Sequence, residues 1–269
     1  MEILLSLNFK FFNLEPEKLI ELIQKYDKEN LISGFEIATN SKKDELYVLR
    51  LAKIALKNEY IVNLHSPSFK NIEEVKEYLN FAVEISKIMK KKTNIVYHPI
   101  SVNSIDESKE KTKWQIEEIM QYIEGKKYYN NVELSIENLN DMNGIKRLKK
   151  EDLIEILDQQ KSLKFTYDIG HEIIDRIKTE KLVNILDERL NNIHIHTYKK
   201  NLDHYPIKNI NEYKLIKALL EKYGENKTVV LEYALDYIEG EDFETKLKNY
   251  VESAKIIKGA ITTKEKLSL

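Results

Sequence analysis

The chain alternates between short apolar runs and longer segments in which apolar residues recur at helical spacing. The apolar runs predict eight strands, at Ile3–Phe9, Gly34–Ala38, Tyr60–His65, Asn94–His98, Val132–Glu137, Lys164–Asp168, Asn192–His196 and Thr228–Glu232. Several of these runs are continuously apolar and rich in β-branched residues, which is typical of strands that are buried on both faces of a sheet.

An amphipathic helix is predicted after each strand. The helical segments are Glu15–Lys28, Leu46–Ala55, Ile72–Met89, Lys111–Ile123, Glu151–Leu157, Ile173–Leu190, Glu212–Tyr223 and Phe243–Ile257. In the third segment, Val75, Leu79 and Ala82 fall on one face, as expected for a helix that packs on a sheet. Pro16 suits the first turn of the first helix.

Eight strand–helix units within 269 residues predict an α/β protein with a single (β/α)8 TIM barrel. Because no Pro-, Gly- or Ser-rich linker interrupts the pattern, residues 1–258 are predicted to form one barrel domain and residues 259–269 a polar C-terminal tail. A doubly wound open sheet is the alternative. It is disfavoured because the first strand is followed by Asn8-Phe9-Lys10 and not by a glycine-rich turn.

Charge and composition exclude several classes of protein. A net charge of -2 gives no global preference for nucleic acid or anionic membranes, although a local basic groove stays open. The absence of cysteine excludes disulfides, Cys-based zinc sites and thiol catalysis. The N-terminal segment lacks the basic region and cleavage site of a signal peptide, and no apolar run approaches the roughly 18 residues of a membrane span. We therefore expect a cytoplasmic protein with no membrane partner.

Histidines and carboxylates collect at the ends of the predicted strands. All six histidines and three acids lie at or just beyond these ends, and no histidine falls in a predicted helix: His65, His98, Glu137, Asp168, His171, His194, His196, His204 and Glu232. A single residue of this kind is more often structural. In a βα barrel, however, the C-terminal strand ends meet at one mouth, where so many such groups are costly without a cation. Imidazole with carboxylate suits Zn, Mn, Co or Fe, so the sequence predicts a divalent metal site.

Four of these strand ends carry a recognisable set of residues. Glu137 is followed by Asn, Asp-x-x-His follows the sixth strand, and His194 and Glu232 end the seventh and eighth. This set resembles the xylose isomerase-like TIM-barrel superfamily, which includes sugar isomerases, sugar epimerases and nucleases of the endonuclease IV type. The match spans essentially the whole predicted barrel.

In the sugar enzymes, the resemblance implies one divalent cation (Zn, Mn, Co or Mg) held by the residues that match Glu137, Asp168, His194 and Glu232. The two glutamates would also transfer protons beside a carbonyl group, through an enediolate that the metal stabilises. We expect the substrate to be bound by His171, His196 and Lys200.

In the nuclease branch, the resemblance implies three zinc ions. His65, His98 and Glu137 would hold the first, and Glu137 would bridge to a second. His171 with Asp203 and His204 would hold the third. Asp203 and His204 are adjacent here, where the nuclease pattern separates them by one residue, and they lie in a short loop without glycines. This departure weakens the third site. The net charge of -2 also gives little indication of the phosphate-binding surface that a bent DNA duplex needs.

The sequence therefore favours a divalent-metal-dependent isomerase or epimerase of a sugar, sugar phosphate or related polyol, in carbohydrate metabolism. The alternative is a zinc-dependent phosphodiesterase of the endonuclease IV type that acts on abasic DNA, and only this alternative requires a nucleic-acid partner. A barrel that binds metal or sugar for regulation, without turnover, is a third class. The intact glutamate pair argues against it. Homo-oligomerisation stays open, since exposed and buried apolar helix faces look alike in sequence.

Overall fold

A computed structural model describes residues 1–102, 104–139, 148–174, 182, 186–199, 202–208 and 210–262. Eight parallel strands close into a barrel in the order β1-β10-β7-β6-β5-β4-β3-β2, which confirms the predicted single (β/α)8 barrel. The barrel strands are β1 (Glu2–Leu7), β2 (Ile32–Ala38), β3 (Ile61–His65), β4 (Thr93–Tyr97), β5 (Val132–Glu137), β6 (Lys164–Asp168), β7 (Leu190–Ile195) and β10 (Thr228–Leu231).

Helices surround the barrel. They are α1 (Pro16–Tyr26), α2 (Lys42–Lys57), α3 (Ile72–Met89), α4 (Ile105–Gly125), α5 (Lys150–Gln159), α6 (Ile169–Ile174), α7 (Ile210–Tyr223), α8 (Phe243–Glu252) and α9 (Ala254–Thr262). The helix predicted over Phe243–Ile257 is therefore two helices that meet at Ser253, and α9 continues past residue 258. Most of the helix predicted at Ile173–Leu190, and residues 263–269 of the predicted tail, lie outside the described residues. Among the described residues, no helix has both the length and the apolarity needed to cross a membrane.

Local sequence explains where several helices begin. Four of them start after a polar residue whose side chain accepts a hydrogen bond from a backbone N–H in the first turn: Ser41, Asn71, Ser104 and Asp242. Such caps satisfy backbone donors that have no partner within the helix. The α6 helix instead starts directly after the last residue of β6, and it contains His171. The prediction that no histidine lies in a helix was wrong for this reason.

A short antiparallel hairpin follows β7, where the sequence analysis placed only a loop. Its strands are β8 (Thr197–Lys199) and β9 (Leu202–Tyr205), with Thr197 opposite Tyr205. The hairpin contacts α6. It therefore brings Asp203 and His204, on β9, to the end of the barrel where β6 and β7 finish.

Candidate metal centre

The predicted ligand residues at the C-terminal strand ends form three clusters, two of which share Glu137. In each, one ligand atom per residue lies within 4.8 Å of those of the others. The first cluster is His65, His98 and Glu137; the second is Glu137, Asp168, His194 and Glu232; the third is His171, His196, Asp203 and His204. All predicted site residues except Lys200 are thus brought together. Lys200 lies outside the described residues, so its predicted role in binding substrate stays a prediction.

The first cluster joins the ends of β3, β4 and β5. The Nε2 atoms of His65 and His98 are 2.7 Å apart, and Nε2 of His98 is 2.9 Å from Oε2 of Glu137. Burial lowers the pKa of His98 more than the Glu137 carboxylate raises it. A lowered pKa favours the neutral imidazole, which is the form that binds metal.

The second cluster surrounds His194 on β7. Its Nδ1 atom is 2.9 Å from Oε2 of Glu232 and 3.2 Å from Oε1 of Glu137. Within the described structure, Nδ1 of His194, Oε2 of Glu137 and Oε2 of Glu232 are buried and make ion-pair contacts, but none of them makes a hydrogen bond of good geometry. Buried carboxylate and imidazole atoms in this state are suited to bind a cation.

The charges of the second cluster are mutually dependent. Burial acts to raise the pKa of Glu137 and of Glu232, but the charge of His194 and of a second histidine holds both values well below their usual range. Burial likewise acts to lower the pKa of His194, and the surrounding carboxylates raise it well above its usual value. Without metal, protons on imidazole balance the carboxylates. A divalent cation would replace those protons.

The third cluster is assembled by α6 and the β8–β9 hairpin. Nδ1 of His171 lies 2.9 Å from the carbonyl oxygen of Asn138, which can only accept, so Nδ1 carries the proton. This leaves Nε2 of His171 directed at Oδ2 of Asp203, 3.6 Å away. His196 lies 2.9 Å from Oδ2 of Asp168 through Nε2, and its ring stacks on that of His204 with centroids 4.5 Å apart.

Asp203 and His204 both join the third cluster although they are adjacent in the chain. In a regular strand, adjacent side chains point to opposite faces. His204 has a φ of 57°, a left-handed conformation that non-glycine residues rarely adopt, and this breaks the alternation. The backbone N–H of His204 also donates to Oδ1 of Asp203 at 2.9 Å. The backbone conformation at His204 therefore allows Asp203 and His204 to join one cluster although they are adjacent in the sequence.

The third cluster is also strongly charged. Although burial opposes the shift, the charges of Asp168 and of nearby Asp203 raise the pKa of His171 to about 10. Burial also opposes the shift at His204, where the charge of Glu232 raises the pKa to about 9. Burial acts to raise the pKa of Asp203, but the nearby imidazoles of His171, His204 and His196 lower it to about 2.

Three residues that support the clusters were not singled out from the sequence. Glu36 on β2 and Asn192 on β7 are fully buried beside His194. Gly170 allows a close approach, since a Cβ atom there would lie 2.1 Å from Cε1 of His196. A signal for Glu36 was present, because it is a carboxylate within an apolar strand, just as Glu137 is.

A closed βα barrel with imidazoles and carboxylates gathered at its C-terminal mouth defines a class of barrel whose mouth offers ligand groups for cations. Within that class, the chain belongs to the xylose isomerase-like TIM barrel family, whose sequence model matches residues 2–259. A comparison with curated proteins finds no match.

Solved structures share the fold over nearly the whole chain. A D-tagatose 3-epimerase-like protein is 18% identical, with a TM-score of 0.68 and 97% of each chain covered. D-psicose 3-epimerase from Clostridium cellulolyticum H10 is 15% identical, with a TM-score of 0.68, and 97% of this chain and 99% of that one are covered. An AP endonuclease of family 2 from Brucella melitensis is 13% identical, with a TM-score of 0.61 and coverage of 86% and 92%. At such identities the likeness shows a common fold.

Proposed function

We propose that the three clusters hold divalent metal ions, zinc by preference, and that the protein hydrolyses a phosphodiester. The observation that carries this proposal is the third cluster: Asp203 and His204 meet His171 and His196 beside the other two clusters. A one-cation isomerase uses the second cluster as metal ligands and has His171 and His196 bind substrate, but it leaves His65, His98, Asp203 and His204 without a role as ligands. For this reason we place the phosphodiesterase, which the sequence ranked second, ahead of the isomerase.

The donor set fits the proposed ions. Every member is an imidazole or a carboxylate, which suits zinc, and three buried atoms of the second cluster make ion-pair contacts without a hydrogen bond of good geometry in the described structure. Glu137 belongs to two clusters: Oε2 faces His98 and Oε1 faces His194. A carboxylate shared in this way would be a ligand to the ions of both clusters, as in metallohydrolases that use two metal ions.

Bound ions would supply Lewis acidity toward the oxygens of a phosphoryl group. The side chains themselves define the approach to that group. His98 of the first cluster and His204 of the third have side chains 31% and 36% exposed. Glu137 and His194 between them are at most 1% exposed. A substrate phosphate therefore reaches the centre between His98 and His204, while the buried carboxylates hold the floor of the site.

A sugar epimerase or isomerase is the second candidate, and one specific feature favours it. Glu137 and Glu232 approach the same atom, Nδ1 of His194, at 3.2 and 2.9 Å. Two carboxylates around one cation site are what proton transfer beside a carbonyl requires. The D-tagatose and D-psicose epimerases with this fold make a ketose the natural substrate class for this candidate.

Activity assays on one zinc-loaded preparation separate the two candidates. The substrates are bis(p-nitrophenyl) phosphate, a duplex oligonucleotide with one abasic site, and a panel of ketoses that includes D-tagatose and D-psicose. We expect zinc-dependent cleavage of at least one phosphodiester, lost in Glu137→Gln. Glu133→Gln is the matched control, because Glu133 is on the same strand but hydrogen-bonds Asn191, outside the three clusters.

Two results would contradict the proposal. Epimerised ketose together with intact phosphodiesters, at full zinc occupancy, would establish the second candidate instead. No turnover of any substrate would favour the regulatory class of barrel that binds without reaction. Cleavage of bis(p-nitrophenyl) phosphate but not of the abasic duplex would keep the phosphodiesterase and exclude this DNA substrate.

A further inference from the structure

The Glu36 carboxylate lies beneath the first and second clusters and contacts a histidine of each. It is on β2 and fully buried, and it is not among the residues that make up the first or the second cluster. Its Oε1 atom is 3.1 Å from Nδ1 of His65 and 2.9 Å from Nε2 of His194. Its Oε2 atom accepts a hydrogen bond of 2.8 Å from Nδ2 of Asn192.

These contacts determine which way both imidazoles face. Because a carboxylate only accepts, Nδ1 of His65 and Nε2 of His194 must each carry a proton. The opposite nitrogens are then left for metal: Nε2 of His65 lies 2.7 Å from Nε2 of His98, and Nδ1 of His194 lies 2.9 Å from Glu232. A partner of this kind fixes the tautomer and the orientation of a metal-binding histidine and raises its basicity.

We infer that Glu36 is a positioning residue that orients the metal ligands of two adjacent sites at once, with its own orientation fixed by Asn192. This inference rests on the proposed metal ions. It gives the first and second clusters a common support, whereas the third has its own, the Asn138 carbonyl that accepts from His171. Changes at Glu36 therefore affect two ions together and leave the third unchanged.

A direct metal site formed by Glu36, His65 and His194 is the competing interpretation, since these three also group within 4.8 Å. In that arrangement both imidazoles would bind metal through both nitrogens. Each would then have to lose its second ring proton. Hydrogen bonding needs no such deprotonation, and 2.9 and 3.1 Å are ordinary hydrogen-bond lengths.

The inference is tested by titrating the metal-free full-length protein with zinc in competition with a chromophoric chelator, which gives the number of bound ions and the affinity of each. Glu36→Gln keeps the size of the side chain but offers one acceptor oxygen to three donors. We expect the affinity to fall about 10–100-fold for two ions and to be unchanged for the third. Asn192→Ala should cause a smaller loss at the same two ions, and it serves as the test if Glu36→Gln does not fold.

Asp27→Asn is the matched control. Asp27 is also a buried carboxylate, but it accepts hydrogen bonds from the backbone N–H groups of Leu31 and Ile32 at the start of β2. We expect Asp27→Asn to lower the unfolding temperature without changing zinc affinity. A merely structural role for Glu36 would give that same pattern in Glu36→Gln.

Three results are distinguishable. Unchanged affinity at all ions in Glu36→Gln, with three ions bound by the wild type, overturns the role of Glu36 and leaves the proposed function standing. Loss of one whole ion, with full affinity at the others, makes Glu36 a direct ligand and also overturns the inference. If the wild type binds a single ion, the proposed function fails, yet a 10–100-fold loss for that ion in Glu36→Gln still supports positioning through His194.

Discussion

Replacing Gly170 with alanine disturbs the third cluster without removing any of its ligands. The new Cβ atom would lie 2.1 Å from Cε1 and 2.2 Å from Nδ1 of His196, whereas ordinary contact begins at about 3.4 Å. The ring would have to retreat by more than 1 Å, and His196 is fully buried. Overpacking of this kind costs about 1–3 kcal/mol. In a domain of this size the unfolding temperature should fall by about 2–12 °C.

The same displacement should weaken metal binding at the third cluster. It breaks the 2.9 Å contact between His196 and Asp168 and the stacking of His196 on His204. Losing a hydrogen bond to a charged group costs about 1.5–3 kcal/mol, which corresponds to about 10–100-fold in affinity. Differential scanning fluorimetry and zinc titration measure the two effects. Gly125→Ala is the control, because nothing lies within 4 Å of a Cβ atom at Gly125. If Gly170→Ala matched this control in both assays, the packing argument would be refuted.

Three further predictions concern the ligands. The pKa values of His171 and His204, about 10 and about 9, lie above the usual value because neighbouring carboxylates outweigh burial. The stability that these two histidines give the metal-free protein should therefore be complete below about pH 6.5 and should be lost as pH rises toward 10. Zinc bound at the third cluster would displace these protons, so its affinity should rise about tenfold per pH unit for each proton released between pH 6.5 and 8.5. An affinity independent of pH would contradict this. Glu137→Gln should remove tight binding of two ions and spare the third, as measured by zinc content after dialysis; retention of three would show that Glu137 does not bridge. Asp203→Asn should release only the third ion and abolish phosphodiester cleavage; full cleavage without that ion would make the third cluster dispensable.

Local patterns predicted most of the barrel. The bounds predicted for Val132–Glu137, Lys164–Asp168 and Ile72–Met89 are those of β5, β6 and α3. Each of these segments carries its own signal, either an apolar strand that ends on an acid or a helical stripe begun by the Asn71 cap. The convergence of the ligands followed from topology, because barrel strands end at one mouth.

The remaining features depend on contacts between distant segments. The β8–β9 hairpin consists of short polar strands without an apolar period, so nothing in the sequence separates it from a loop. The cluster of Asp203 with His204 depends on one left-handed residue, which spacing alone does not predict. The hydrogen bonds of Glu36 to His65 and His194 form only when the barrel closes, since these residues lie on β2, β3 and β7.

The number of metal ions per chain tests the central claim most directly. It is measured by inductively coupled plasma mass spectrometry on full-length protein purified without added metal or chelator, with protein concentration from amino-acid analysis. Three clusters, two of which share Glu137, predict close to three tightly held zinc ions per chain. About one exchangeable ion, readily replaced by manganese, cobalt or magnesium, would contradict the three-metal phosphodiesterase and favour the sugar isomerase. No metal, even after reloading, would contradict both.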